Sequence, residues 1–170
     1  MSWLWPNATT VSDVEWDAVY ERELPRIYNF FRYRIGDDTL AEDLTSATFE
    51  KAWRGRDSYR RDTAKFSTWL YAIARNVAID HFRRSGRELP LEAAADVPSG
   101  TTPEDDVVHA GDLERLAVLL NGLGEREREL LAFKYGAELT NREIARVTKL
   151  SESNVGTILH RAVATLRSRW

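Results

Sequence analysis

Thr140–Arg169 reads TNREIARVTKLSESNVGTILHRAVATLRSR, and its spacing decides the fold. Thr140 with Glu143 three residues on is a capping box, in which hydroxyl and carboxylate satisfy free backbone N–H groups at a helix start. The helix it opens runs through Thr148. Lys149-Leu150 makes a tight turn, and Ser151 caps a second helix that continues almost to Trp170. Ile144, Ala145 and Val147 face inward from the first helix, and Leu150 fills the turn. Val155, Leu159, Ala162, Val163 and Leu166 line the second at helical spacing. A short helix, a turn of a few residues and a second amphipathic helix form a helix-turn-helix. Its exposed candidates are Arg142, Ser151, Ser153, Asn154, Gly156, Thr157, His160 and Arg161. In such a motif the N-terminal half of the second helix enters a DNA major groove, where Asn, Ser and Thr pair with base edges and Arg reaches phosphates. An ordinary helical hairpin with a polar surface has the same pattern.

Working outward, helices are expected near Asp112–Asn121 and Glu125–Tyr135. Trp16–Ile35 also has helical spacing, with a kink or break expected near Leu24 because of Pro25. Thr39-Leu40-Ala41-Glu42 reads as another capping box, opening a helix to about Arg54. GRDSYRRDT (Gly55–Thr63) is polar and aperiodic, hence a loop. Lys65–Arg84 forms a third helix, with Trp69, Leu70, Ile73, Val77, Ala78 and Phe82 along its apolar stripe. From residue 86 to 111 periodicity disappears among prolines, glycines and acids, which marks a linker too long for a compact domain. No strand pattern appears. The expected fold is all-α: two small helical domains (15–85 and 112–170) joined by an acidic flexible linker (86–111), after a tail (1–14).

Charge is distributed unevenly. The net charge is -3, but Arg54–Arg87 holds 9 basic residues against 3 acidic, whereas Glu88–Glu114 holds 8 acidic and no basic ones. A basic block beside an acidic spacer suits a nucleic-acid face, although a mosaic of solvated surfaces has the same sum. Cysteine is absent, which excludes disulfides and thiolate metal sites and fits a reducing cytoplasm. No apolar run is long enough to span a bilayer. His81, His109 and His160 are far apart, with no metal-ligand pair, phosphate loop or nucleophile elbow. Neither a catalytic residue nor a cofactor or small-molecule substrate is expected.

The runs ELPRIYNFF, AEDLTSATFEKAW and FSTWLYAIARNVAIDHFRR, followed by LTNREIARVTKLSESNVGTILHRAVATLR, resemble the extracytoplasmic-function (ECF) group of sigma-70-type transcription factors. The resemblance covers about Glu15–Arg84 and Leu113–Arg169. It implies a non-catalytic initiation factor that binds core RNA polymerase and promoter DNA, melting the -10 element with its first domain and reading the -35 element with its second. It further implies docking on the clamp helices of the polymerase's largest subunit through Glu42, Asp43, Ser46, Phe49, Glu50 and Trp53, an acidic helix with aromatic anchors. Where the family commonly has Gln and Glu, this chain has Ser46 and Ala47.

The implied -10 face comprises a pocket loop, Arg56, Asp57, Ser58, Tyr59, Arg60 and Arg61, in which Tyr59 could stack on an everted base. It continues along the third helix through Lys65, Ser67, Thr68, Arg75, Asn76, Asp80, Arg83 and Arg84, whereas Trp69 reads as core. In the recognition helix relatives show T-V-[KR]-S-R-L-H-R-A, and this chain has Gly156 and Ile158 at the two basic positions. Weaker -35 binding, an unusual element or a helping protein is the expectation. The resemblance also implies contact with the polymerase flap, an acidic linker that mimics RNA in the enzyme's cleft, and control by an anti-sigma factor or other regulatory protein. Trp3, Trp5 and Pro6 make the tail a candidate docking segment. The competing reading is a helix-turn-helix regulator that binds DNA without joining the polymerase.

Overall fold

The computed structural model describes residues 15–59, 65–86 and 106–170. The tail, Arg60, Arg61 and most of the linker lie outside the described residues. Seven α-helices make up the rest, and no strand occurs among the described residues.

Helix α1 spans Trp16–Ile35 without interruption, so the break expected at Leu24 does not occur. Pro25 sits on the exposed side, as does Glu21, whose carbonyl loses its helical donor there. The cost of that missing bond is lowest where water can take its place, and the buried stripe Val19, Ile27, Phe30, Phe31 and Ile35 holds the helix together. Gly36 then ends it in the left-handed conformation (φ 80°).

Helix α2 spans Asp38–Arg54, and its cap is Asp37 rather than Thr39. The Asp37 carboxylate accepts from the Leu40 amide at 3.0 Å. Leaving the Gly36 turn, Asp37 is the extended residue directly before the helix, so its carboxylate reaches the free N–H groups first. Helix α3 spans Phe66–Arg84. Between α1 and α3 lies a buried pair, Glu23 and Tyr71, whose hydroxyl donates to the Glu23 carboxylate at 2.7 Å.

Helix α4 spans Asp106–Asn121, so it begins inside the stretch expected to be linker. Helix α5 covers Glu125–Leu131 and passes into a π-helical turn, Ala132–Gly136, where an α-helix to Tyr135 is expected. Helix α6 spans Asn141–Thr148 behind the complete Thr140/Glu143 capping box. Lys149 turns the chain at φ 66°, and Ser151 caps α7, Glu152–Arg169. The helix-turn-helix therefore forms as its local signals dictate.

The two halves do not stand apart. The π turn lies against α1, where Phe133 stacks on Phe30 with ring centroids 4.4 Å apart and meets Tyr71 edge-on. The Gly136 backbone fits so closely that a Cβ there would lie 2.7 Å from the Asn29 carbonyl oxygen. Arg75 of α3 donates to Glu129 of α5 at 2.5 Å, and the Arg128 guanidinium donates to the Arg34 carbonyl at 2.9 Å.

Candidate nucleic-acid interface

The loop after α2 is built on aromatic rings. Gly55 leads into a 3-10 turn, Arg56–Ser58, closed by the Ser58 hydroxyl donating to the Gly55 carbonyl. The Arg56 guanidinium lies 4.0 Å over the Trp53 ring and donates to the Trp53 carbonyl at 2.7 Å, which holds this cation against the scaffold. Tyr59 packs on Phe66 and Trp69 at 5.3 and 5.4 Å. Trp16 links this group to Trp53 and Phe66. Asp57 and Ser58 are left exposed at the tip, above this aromatic base. Trp69, read as core, is half-buried at the edge of this cluster.

Helix α3 carries the loop's surface onward. Lys65 is exposed at its N-cap, Ser67 and Thr68 are half-buried, Asn76 is exposed, and Arg83 and Arg84 project at the C-terminal end. Two of its candidates have internal partners. Asp80 lies 3.8 Å from Lys51 of α2, and Arg75 is held by Glu129.

On α2, Glu42, Asp43, Ser46 and Glu50 share one exposed stripe, and Glu50 pairs with Arg54 at 2.7 Å. Phe49 does not join them. It is 4% exposed and meets Tyr20 edge-on, so of the two aromatic candidates only the half-buried Trp53 reaches the surface.

In the helix-turn-helix, Ser153, Asn154, Thr157, His160 and Arg161 lie on the exposed face of α7, with exposed Arg142 on α6 beside it. Ser151 is occupied as the cap, accepting from the Asn154 amide at 3.1 Å. The two departures from the family pattern differ in placement. Gly156 is near the surface, with only the Asn141 side-chain amide, at 3.7 Å, close to where a Cβ would stand. Ile158 packs against the core. Arg146 and Lys149 are also exposed here and were not singled out from sequence, although Arg142 and Arg146 are four apart and so share a helix face. Glu129 was equally unmarked, since its partner is 54 residues away.

Among the described residues no group of His, Asp or Glu could hold a metal, and no helix is long and apolar enough to cross a membrane.

Residues 19–88 match the sigma-70 region 2 family and residues 113–166 the sigma-70 region 4 family. The ECF RNA polymerase sigma factor SigM of Bacillus subtilis is 30% identical over 89% of this chain and 93% of its own length. The chain belongs to the ECF sigma factors of the sigma-70 family. Another such relative, BldN of Streptomyces coelicolor, is 30% identical over 87% of this chain, which spans only 57% of that protein's length. The fold is likewise that of a solved structure, the sigma factor RpoE in complex with the anti-sigma factor NepR from Bartonella quintana. The TM-score is 0.69 at 21% identity, covering 91% of this chain and 96% of that one. In the terms of this family, the aromatic loop and α3 fall in region 2, and α6 and α7 in region 4.

Proposed function

We propose that this ECF sigma factor joins core RNA polymerase and directs initiation by melting a -10 element with region 2 and reading a -35 element with region 4. The observation that carries the reading is the join between the aromatic-backed loop and the polar, basic edge of α3. Strand opening requires no bond-breaking chemistry. It needs a surface that prefers single-stranded DNA, made of places for unstacked bases and cations for the backbone. Asp57, Ser58 and the edge of Tyr59 supply the first, and Lys65, Arg83 and Arg84 the second, with Asn76 adding a neutral hydrogen-bond donor between them. The sequence adjoining the tip adds Arg60 and Arg61.

The acidic stripe Glu42, Asp43, Ser46 and Glu50, with Trp53 at its end, is the proposed polymerase contact. Arg142, Asn154, Thr157, His160 and Arg161 are the proposed -35 readers. Initiation by this route makes the protein a non-enzymatic cytoplasmic factor, and a regulatory partner is proposed because the similar sigma factor RpoE occurs in complex with the anti-sigma factor NepR.

Run-off transcription with core polymerase over a genomic promoter library tests the proposal. Specific start sites are expected. A purified chain that binds DNA but is not retained by core polymerase in a pull-down is a helix-turn-helix regulator, and the initiation reading falls.

A further inference from the structure

We infer that the cations missing from the recognition helix are supplied by its neighbour: Arg146 on α6 and Lys149 in the turn join Arg142 as a clamp on the DNA backbone beside the -35 site. The inference rests on the -35 reading above and adds two residues to it.

From Glu152 to His160, the part of α7 that would enter the groove holds no Lys or Arg, and Glu152 adds a negative charge. Ser153, Asn154 and Thr157 can pair with base edges, but they cannot neutralise phosphates. Neutralised phosphates supply a large share of the affinity of a DNA-binding domain. That charge has to come from elsewhere in the motif.

Helix α6 is placed to supply it. Its first residue, Asn141, lies against α7 where a side chain is missing, its amide nitrogen 3.7 Å from where a Gly156 Cβ would stand. Arg142 and Arg146 follow one turn apart, exposed on the side opposite the buried Ile144, Val147 and Thr148. In a helix-turn-helix the first helix crosses the DNA backbone. The one carboxylate on α6, that of Glu143, is engaged with Thr140 in the cap. Among the described residues Arg142, Arg146 and Lys149 have no carboxylate partner, whereas Arg32, Lys51, Arg54 and Arg75 each have one.

Lys149 adds an independent observation. It turns the chain at φ 66°, in the left-handed region where glycine is unstrained and a side chain is not. An exposed lysine held there at a cost in strain is accounted for by use of its ammonium group, and a phosphate beside the turn uses it. Affinity and base reading are thereby divided. Helix α6 and the turn hold the backbone whatever its sequence, and the neutral side chains of α7 read the bases.

Holoenzyme formed from core polymerase and the full chain is titrated with a fluorescein-labelled promoter duplex recovered from the run-off library, between about 50 and 200 mM salt. Arg146→Ala and Lys149→Gly are each expected to flatten the salt slope by about 0.9, and the double variant by about 1.8. Base preference at the -35 element should not change, since a lost backbone contact weakens binding uniformly across sequences. Lys149→Gly should at the same time raise Tm by relieving the left-handed residue, so its lost binding is not a folding defect. Adding Gly156→Lys to the double variant returns a cation to α7 and should restore about 0.9 of the slope. Slopes equal to the parent's in both single variants overturn the clamp. A flattened slope with a lower Tm in Lys149→Gly makes the shape of the turn the cause and overturns the role of Lys149. If no promoter is recovered, the initiation reading falls separately. The clamp is then read with the full chain on a mixed-sequence duplex of about 25 base pairs, and the same slope changes decide it.

Discussion

The Tyr71 hydroxyl donates to the Glu23 carboxylate across the first helical layer, and neither residue is meaningfully exposed. Among the described residues, Glu23 is also tethered from the rim by Arg22 at 3.2 Å and Arg26 at 3.8 Å. Tyr71→Phe leaves that buried carboxylate short of a donor. The expected cost is about 1–3 kcal/mol, or a fall in Tm of roughly 5 °C. Thermal unfolding at pH 7 checks it.

The same pair sets an alkaline limit. Burial, reinforced by the Glu23 charge and hydrogen bond, raises the Tyr71 pKa well above its ordinary 10. In the folded state the phenol keeps its proton, whereas in the unfolded chain it ionises near pH 10. The unfolded state then binds fewer protons, so the stability from Tyr71 is complete below pH 10 and declines as pH rises beyond it. Denaturant titrations at pH 8 and pH 11 should show the stability gap between the parent and Tyr71→Phe narrowing at the higher pH.

Gly156 and Ile158, equivalent as departures from the family pattern, should respond in opposite ways. Gly156→Lys has space, gains ~1 kcal/mol of helix propensity, and adds a cation to the proposed DNA face. The salt slope of binding to a -35 duplex should steepen by about 0.9. Ile158→Arg withdraws a packed side chain from the core and should lower the unfolding midpoint. Equal gains in salt slope without any loss of stability at position 158 would contradict this assignment of faces.

Thr140→Ala removes one half of a reciprocal cap, the hydroxyl that accepts from the Glu143 amide at 3.2 Å, and leaves the other, in which Glu143 Oε1 accepts from the backbone amide of residue 140 at 3.3 Å. A loss of about 1 kcal/mol is expected. Hydrogen exchange should accelerate first at the amides of Glu143 and its neighbours, with α2 and α3 unaffected.

Much of the candidate site could be read from short-range signals. Thr140, Glu143 and Ser151 act within three residues of themselves, so their helix starts are legible without knowing the fold. The α7 stripe, with Val155, Leu159 and Ala162 buried, follows from period alone. At α2 the local reading chose Thr39 over Asp37, because two adjacent oxygens compete and the Gly36 turn decides which one is placed to cap.

Composition, periodicity and capping thus determined that this chain is helical, that it ends in a helix-turn-helix and that its cations gather after α2. Tertiary structure alone decided the continuity of α1 through Pro25, the burial of Phe49 and the capture of Arg75 by Glu129. Each of these depends on which residue is opposite in space. A carbonyl near water forgives a missing donor, an aromatic on an acidic helix turns toward whatever ring lies beneath it, and an arginine pairs with the nearest carboxylate however distant in sequence.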